Sequence, residues 1–347
     1  MSVSDASTEI ENTSEIQPYQ TMRGHTNFVQ GVAHLHDGHH IVTSSLDDSL
    51  RLWDRESGAQ IGNDWRDGGD NPGVCNIALS PNGMTLASGG FDGTMRLWDV
   101  ETKKVIAKWT GHTDWVHSVC WSAEGKRVAS GSDNGTMEMW NVESQETDLG
   151  PIKTGHERVH AVAYSPDVSK IATGGLDEHA IKIWDTRTGE LLSTLGQDSP
   201  ACSLAWTSDQ KKLIAGIGNG LIRIFDTVTW EQIAILEDHK LPVVAISLFR
   251  NDRLLASGSF DHAARLWNLD TNLPIGPPLR HRDWVHGVAL STDGKFLATA
   301  CDDKNAYIWD IHAILNGAGL EDLLSIPDVS VSLVSSLPFR LLATEYC

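Results

Sequence analysis

Histidine is the residue of this sequence with the widest capacity for chemistry, because its ring nitrogens bind metals and transfer protons near neutral pH. The chain contains 15 histidines. Four of them fall within one short segment, with spacings that resemble a metal clip on a surface turn: His34, His36, His39 and His40. The segment has the pattern of a strand followed by a turn, so we expect at most adventitious metal binding there.

Nucleophilic and cofactor chemistry lack the patterns that they need. The sequence has no G-x-S-x-G nucleophile elbow and no H-E-x-x-H zinc helix. Residues 216–220 read G-I-G-N-G, but no helical pattern follows them, and dinucleotide binding requires a strand, a turn and a helix. We therefore predict a protein that is not an enzyme and that uses no cofactor and no metal.

The charge balance limits the classes of partner. The formal net charge is −19, from 27 basic and 46 acidic residues. This excess opposes general binding to nucleic acids and adsorption to anionic membranes, and it favours basic proteins or peptides as partners. No secretory signal pattern and no apolar run of about 18 residues occur, and the five cysteines include no C-x-x-C pair. We expect a protein of the cytoplasm or the nucleus.

The elements that must position any site come from an internal repeat. Seven aromatic residues close R-L-W-D-like runs at intervals between 41 residues, from Trp184 to Phe225, and 45 residues, from Trp53 to Trp98. Such a period indicates a repeat architecture in which each unit is one supersecondary structure. The seven residues are Trp53, Trp98, Trp140, Trp184, Phe225, Trp267 and Trp309.

Three polar columns repeat in phase with these aromatic residues. An acid or amide stands a few residues before each of them, at Asp47, Asp92, Asn134, Asp177, Asn219, Asp261 and Asp303. A hydroxyl precedes it in six of the seven repeats, in a column that holds Thr43, Ser88, Ser130, Thr173, Ala215, Ser257 and Thr299. A histidine stands further upstream in five repeats, at His25, His112, His156, His239 and His281.

These columns resemble the repeats of the WD-repeat (tryptophan–aspartate repeat) β-propeller family, and the match covers residues 18–312. The resemblance implies an all-β, seven-bladed propeller of four-stranded antiparallel blades. In the second repeat the expected strands are 74–79, 85–88, 94–98 and 104–109, separated by Pro-Asn-Gly and Asp-Gly turns. The last repeat supplies three strands, so we expect residues 18–23 to complete the seventh blade and to close the ring.

The polar columns have a physical logic as a chain of hydrogen bonds from tryptophan through the hydroxyl and histidine to the acid. A buried indole N–H needs an acceptor, and each later member satisfies the one before it. By residue type, blades one, four, six and seven can form the whole chain. Asn134 weakens it in blade three, blade two lacks the histidine, and blade five lacks all four members. We therefore expect blade five to be the loosest part of the ring.

The adjacent carboxylates Asp47-Asp48 and Asp302-Asp303 could suggest a catalytic acid–base pair. Each pair includes one acid of the repeat column, which argues against that reading.

Two variable columns at the start of each first strand are the candidate binding site. In the WD-repeat family they face the top of the ring, where partners usually dock, and exposed aromatics, Arg and His are residue types that anchor interfaces. The alternative that they pack only against neighbouring loops stays open. A metal site made of His117, His160 and His286 is not expected, because these histidines lie in blades three, four and seven, which are not all adjacent. The candidates are Phe28, Gln30, Trp115, His117, Arg158, His160, Trp284 and His286.

The resulting prediction is a non-catalytic interaction scaffold or adaptor. The alternative is a propeller enzyme or small-ligand-binding protein that uses the central channel, which requires titratable groups with shifted pKa values to converge there.

Residues 1–17 are predicted to be a disordered acidic segment, and residues 313–347 a short helix with an irregular tail. The run I-G-P-P-L before Arg280 and the paired W-V-H runs add a weaker resemblance to propeller arrays of fungal NLR-like proteins.

Overall fold

The computed structural model of the protein describes residues 15–68, 73–176, 181–196 and 198–325. Within these ranges the strands form seven antiparallel sheets, which follow one another along the chain as blades one to seven. The seven-bladed propeller expected from the repeats is therefore confirmed. Most of the acidic segment 1–17, the tail 326–347 and the side chain of Asp177 lie outside the described residues.

Each blade is a meander of consecutive strands, except where the N-terminal strand β1 (Gln20–Arg23) joins blade seven. Blades one to three contain β2 (Val29–His34), β3 (His40–Ser45), β4 (Leu50–Asp54); β5 (Val74–Leu79), β6 (Thr85–Gly90), β7 (Thr94–Asp99), β8 (Lys104–Thr110); and β9 (Val116–Trp121), β10 (Arg127–Ser132), β11 (Thr136–Asn141), β12 (Thr147–Lys153). Blades four and five contain β13 (Val159–Tyr164), β14 (Lys170–Gly175), β15 (Ile181–Asp185), β16 (Leu191–Leu195); and β17 (Ala201–Trp206), β18 (Lys212–Ile217), β19 (Leu221–Asp226), β20 (Gln232–Glu237). Blades six and seven contain β21 (Val243–Leu248), β22 (Leu254–Ser259), β23 (Ala263–Asn268), β24 (Leu273–Arg280); and β25 (Val285–Leu290), β26 (Phe296–Cys301), β27 (Asn305–Asp310).

In the second strand of every blade, each residue after the first is buried. In β6 every residue after Thr85 is buried, whereas the outer strand β8 alternates between exposed and covered residues. The difference arises because neighbouring blades cover both faces of a second strand, while an outer strand faces solvent. Small residues in the second strands allow neighbouring blades to approach each other closely. A Cβ at Gly89, for example, would lie 2.6 Å from the backbone oxygen of Val116 in the next blade.

The hydrophobic core lies between adjacent blades. Leu97 and Trp109 of blade two, for example, share one buried cluster with Val128 and Trp140 of blade three. The indoles of Trp109 and Trp140 stack with ring centroids 5.4 Å apart. Since each seam joins only neighbours, the propeller behaves as a one-dimensional array that closes on itself.

Ring closure is made by the N-terminal strand, as the repeat pattern predicts. Strand β1 pairs antiparallel with β27, with Gln20 opposite Ile308 and Met22 opposite Ala306. Met22 is fully buried there, in a cluster that also contains Trp53 of blade one. The pairing removes the open edge that β27 would otherwise expose.

Blade one departs from the four-stranded pattern. Its sheet has three strands, and isolated bridges Leu50↔Trp65 and Trp53↔Gln60 tie the following segment to β4. Gly58 and Gly62 adopt positive φ, which breaks a regular strand, while the buried indole of Trp65 fills the space against the core.

A short helix follows the last blade. Helix α1 (Ile311–Ala318) begins at Asp310, whose side chain accepts a hydrogen bond from the Ala313 backbone N–H at 2.8 Å. It ends at Gly319, which has a left-handed φ of 67°, so this glycine caps the helix. A 3-10 turn (Glu321–Leu324) follows, and Leu315 packs with it against the cluster of blades six and seven.

Candidate protein-binding face

The hydrogen-bond chain of the repeat columns is complete in blades one and six. In blade one, the Trp53 indole N–H donates to Thr43 Oγ1 at 2.8 Å, and that oxygen lies 2.7 Å from His25 Nε2. His25 Nδ1 lies 2.9 Å from Asp47 Oδ2. The equivalent distances in blade six are 2.8, 2.8 and 2.9 Å, for Trp267, Ser257, His239 and Asp261. These chains tie the loop before each first strand to the inner strands.

The prediction of a complete chain in blade seven is wrong. His281 Nε2 lies 2.7 Å from Thr299 Oγ1, which also accepts from Trp309, but His281 Nδ1 lies 3.0 Å from the backbone oxygen of Leu279. The carboxylate of Asp303 accepts instead from the hydroxyl of Tyr307. A phenol within reach satisfies the acid, so the histidine bonds to a carbonyl.

In blades two, three and four, the hydrogen bonds are those that the residue types of the repeat columns allow. In blade three, His112 Nδ1 lies 2.9 Å from Thr136 Oγ1, and that hydroxyl in turn donates to Asn134, so the amide acts through a neighbour. In blade four, both Trp184 and His156 contact Thr173, while the acid of that chain is outside the described residues. Blade two keeps only the bond from Trp98 to Ser88, and Asp92 pairs with Arg96 at 2.7 Å.

Two columns meet at the edge of the ring where first strands begin and second strands end, here called the rim face. In each blade, the residue just before the repeat acid position donates its backbone N–H to the carbonyl of the residue just before the first strand. The bonds span 2.8–3.2 Å and join Leu46 to Phe28, Phe91 to Gly73, Asp133 to Trp115, Leu176 to Arg158, Gly218 to Pro200, Phe260 to Pro242, and Asp302 to Trp284. The same backbone contact therefore places two residues per blade on this face.

One group of these side chains, the blade-three cluster, spans blades two to four and consists of Phe91, Trp115, His117, Asp133, Arg158 and His160. The rings of Phe91 and Trp115 stack with centroids 4.2 Å apart, and Trp115 remains 43% exposed. His117 Nε2 lies 3.1 Å from Asp133 Oδ1, and Arg158 Nη1 lies 3.8 Å from Asp133 Oδ2. Two of the predicted site residues, His117 and Arg158, thus lie beside one buried carboxylate.

Electrostatics in the blade-three cluster favour a charged acid and a neutral histidine. Burial acts to raise the pKa of Asp133, but the hydrogen bond from His117 and the charges of His117 and Arg158 outweigh it and hold the pKa below its usual value. Burial, with the nearby His117 ring, lowers the pKa of His160 to about 4. The rings of His117 and His160 lie 5.6 Å apart.

A second group, the blade-seven cluster, spans blades six, seven and one and consists of Phe260, Trp284, His286, Asp302, Phe28 and Gln30. Phe260 stacks on Trp284 with centroids 4.5 Å apart. His286 Nε2 lies 3.0 Å from Asp302 Oδ1, and the Gln30 amide donates to the same oxygen at 3.4 Å. Phe28 is 40% exposed, and Trp284 is 42% exposed.

The structure therefore divides the eight candidate residues between two clusters. The sequence reasoning missed Phe91, Phe260 and Asp133, and considered Asp302 only as half of an acid pair. Their signal is positional: each stands immediately before a repeat acid position, in a column whose side chains vary from blade to blade. Only the backbone hydrogen bonds of the rim face show that the column before the repeat acids lies beside the column of predicted site residues.

The histidine-rich segment of blade one does not form a ligand set. His34 is buried, and burial lowers its pKa to about 4, while His40 Nδ1 lies 2.6 Å from Asp37. Over the described ranges, no group of three or more His, Cys, Asp or Glu residues is arranged to hold a metal ion. Within the same ranges, no helix has the length and apolar character needed to cross a membrane.

Comparisons with known proteins agree with this architecture. A family model described as the IFT122 first beta-propeller matches residues 69–310, and a model for the WD domain, G-beta repeat, matches residues 16–54. The anaphase-promoting complex subunit cdh1 of Dictyostelium discoideum is 30% identical over 269 residues, 76% of this chain and 34% of the relative. The nuclear distribution protein PAC1 of Arthroderma otae is 29% identical over 172 residues, 46% of this chain and 37% of the relative.

The chain thus spans about a third of the length of these relatives. The two relatives and two family models named above do not include fungal NLR-like proteins, so that narrower resemblance stays a prediction. The family model covers the greater part of the chain, and the repeat columns coincide with seven antiparallel blades. The chain belongs to the WD-repeat β-propeller family.

Proposed function

We propose that this protein is a non-catalytic interaction scaffold that binds partner proteins or peptides on its rim face. The observation that carries the proposal is the pair of rim clusters. Each holds a half-exposed tryptophan, Trp115 or Trp284, stacked on a phenylalanine next to a buried carboxylate. Stacking fixes the exposed ring before a partner arrives, which lowers the entropy cost of using it as an anchor.

The relatives support this kind of role. One is by name a subunit of the anaphase-promoting complex, and the other a nuclear distribution protein. We propose the cytoplasm or the nucleus as the site of action. The net charge of −19 favours partners with basic segments over nucleic acids and anionic membranes.

Affinity purification with mass spectrometry tests the proposal. The wild-type chain is compared with the variant Trp115→Ala, Arg158→Ala, Trp284→Ala. We expect specific partners with the wild type and their loss with the variant, because the variant removes the exposed anchors of both clusters. Thermal melting checks that the variant folds.

A matched control removes exposed apolar side chains elsewhere. Leu191, Ile233 and Leu273 lie on the outer strands β16, β20 and β24 and are more exposed than the rim tryptophans. The triple alanine variant at these positions should retain the partners. Partners that survive the rim variant but not the control variant would move the binding surface to the side of the propeller. The absence of any partner with either chain would favour the enzyme or small-ligand alternative.

A further inference from the structure

The two rim clusters are copies of one arrangement in blades three and seven. Phe91 aligns with Phe260 and Trp115 with Trp284, and the stacking is alike, with interplanar angles of 29° and 22°. The histidines His117 and His286 each lie about equally close to their acids, Asp133 and Asp302, at 3.1 and 3.0 Å. The clusters therefore serve as internal references for each other.

They differ in what the following blade contributes. The column that holds Arg158 in blade four holds Phe28 in blade one, and the column that holds His160 holds Gln30. In the blade-three cluster, the chain thus supplies its own guanidinium beside the buried acid, 3.8 Å from Asp133 Oδ2. In the blade-seven cluster, the equivalent residue is an uncharged aromatic ring.

Among the residues that the structure describes, no arginine or lysine lies within 4.0 Å of the buried carboxylate of Asp302. Its side chain is 7% exposed, and among the described residues its only ion-pair partner within 4.0 Å is His286. The other contact is the neutral amide of Gln30. Burial of a carboxylate is costly unless hydrogen bonds and an opposite charge compensate it, so this position favours an incoming cation.

Two exposed rings, Trp284 and Phe28, stand two residues before His286 and Gln30, whose side chains contact this acid. Trp284 and Phe28 precede the first strands of blades seven and one, and the Trp284 carbonyl accepts the backbone N–H of Asp302. Guanidinium groups stack on aromatic faces and bind carboxylates through paired N–H groups, whereas an ammonium offers only a point charge. The rings and the acid together match the chemistry of an arginine side chain.

We infer that the blade-seven cluster binds an arginine side chain of a partner protein, with the guanidinium beside Asp302 where the blade-three cluster holds its own Arg158. The inference rests on the proposed function, since it assigns partner chemistry to one of the two rim clusters. It also assigns different roles to them. The blade-three cluster is internally neutralised and supplies an aromatic anchor, and the blade-seven cluster supplies charge recognition.

The test uses a small probe, N-acetyl-arginine methylamide, and the protein labelled with nitrogen-15 in its tryptophan indoles. The Trp284 and Trp115 signals are assigned with Trp284→Phe and Trp115→Phe. We expect the probe to shift the Trp284 signal saturably and to leave the Trp115 signal in place. The citrulline analogue, which has the same shape without the charge, should bind at least about tenfold more weakly, because it loses the charge-assisted hydrogen bonds.

Exchanging the two differing residues provides the sharpest variants. Phe28→Arg should abolish the response at Trp284, because the chain then supplies its own guanidinium to Asp302. Arg158→Phe should create a response at Trp115. Asp302→Asn should abolish the response at Trp284, and the matched control Asp133→Asn should leave it unchanged. The remaining indole signals report in the same spectra whether each variant is folded.

Three results would overturn the inference: equal binding of the citrulline analogue, retention of the response in folded Asp302→Asn, or no saturable shift of Trp284. These results are separable from failure of the proposed function. Partner capture that depends on Trp115, Arg158 and Trp284, combined with a silent arginine probe, rejects the arginine site and leaves the scaffold intact. A positive probe without any captured partner rejects the scaffold proposal alone.

Discussion

Single neighbouring residues decide which hydrogen-bond donors satisfy the repeat acid of a blade. Asp47 accepts hydrogen bonds from His25, from the Ser49 hydroxyl and from the Thr26 backbone N–H, at 2.6–2.9 Å. Burial acts to raise the pKa of Asp47, but these hydrogen bonds outweigh it and hold the pKa well below its usual range. The same position in blade seven, Asp303, is satisfied by a phenol. The column of repeat acids therefore takes part in two different hydrogen-bond networks, one with histidine and one with tyrosine.

Asp47→Asn should destabilise the propeller by about 1–3 kcal/mol, because the charged acceptor of a buried network is lost. The wild-type pKa of Asp47 is depressed, so its contribution is fully present above the ordinary value of 3.8 and is lost as the pH falls towards the lower folded value. Urea unfolding of both proteins from pH 7 to pH 3 measures the difference, which should shrink on acidification. The exposed Glu101→Gln is the control. A difference that grows below pH 4 would contradict this explanation.

Tyr307→Phe should cost about 1–2 kcal/mol of unfolding free energy, since Asp303 loses its donor. Tyr307→Arg should cost less, because the equivalent position is arginine in blades one, two, five and six, at Arg51, Arg96, Arg223 and Arg265. Denaturant unfolding measures both changes. If Phe were tolerated as well as Arg, the hydroxyl of Tyr307 would not be the group that satisfies Asp303.

Blade five shows what the missing columns do to an element. In blades one and three, the glycine before the histidine lies against the repeat tryptophan: a Cβ at Gly24 would lie 3.3 Å from Trp53, and one at Gly111 would lie 2.8 Å from Trp140. The equivalent Gly196 has no atom within 4 Å of such a Cβ. A cavity of about 480 Å³ opens beside it, lined by residues that include Phe225 and Trp230. The seam between blades four and five is thus less closely packed at this point.

Hydrogen exchange should therefore find the lowest protection in blade five. We expect the amides of β18 and β19 to exchange faster than those of the equivalent strands β22 and β23 in blade six, which has the complete hydrogen-bond chain. Mass spectrometry of exchanged peptides measures both blades in one experiment. Equal protection would mean that apolar packing alone holds blade five.

At the scale of the whole molecule, stability depends on the closing strand. Strand β1 is short, and Met22 is its one fully buried side chain, packed beside Val29 and Trp53 of blade one. The pairing of β1 with β27 joins the first blade to the last, so a weak closing strand opens the ring and leaves an unpaired edge.

Met22→Ala should lower the free energy of unfolding by about 2–5 kcal/mol, because it leaves a cavity at the closure. Arg23→Ala, on the exposed residue next to it, should have little effect. Chemical unfolding measures both, and light scattering should show that Met22→Ala associates more readily through the freed edge. Equal stability of the two variants would mean that closure contributes little to the ring.

The sequence by itself determined the propeller, its seven blades and the closing segment. These depend on local chemistry that recurs within each repeat, such as the aromatic residue at the end of each third strand and the glycine turns between strands. The same logic predicted the contacts of Trp53, Thr43, His25 and Asp47, because all four belong to one repeat.

Only the tertiary structure decided the contacts that cross between blades or compete within one. Gln30 meets Asp302 across 272 positions of sequence, and Phe91 stacks on a tryptophan of the next blade. Tyr307 displaced a predicted partner of Asp303 because its hydroxyl lies within reach. Residue type and spacing do not encode such distances, since they depend on how closely the blades pack. The charge difference between the two rim clusters followed only once those distances were known.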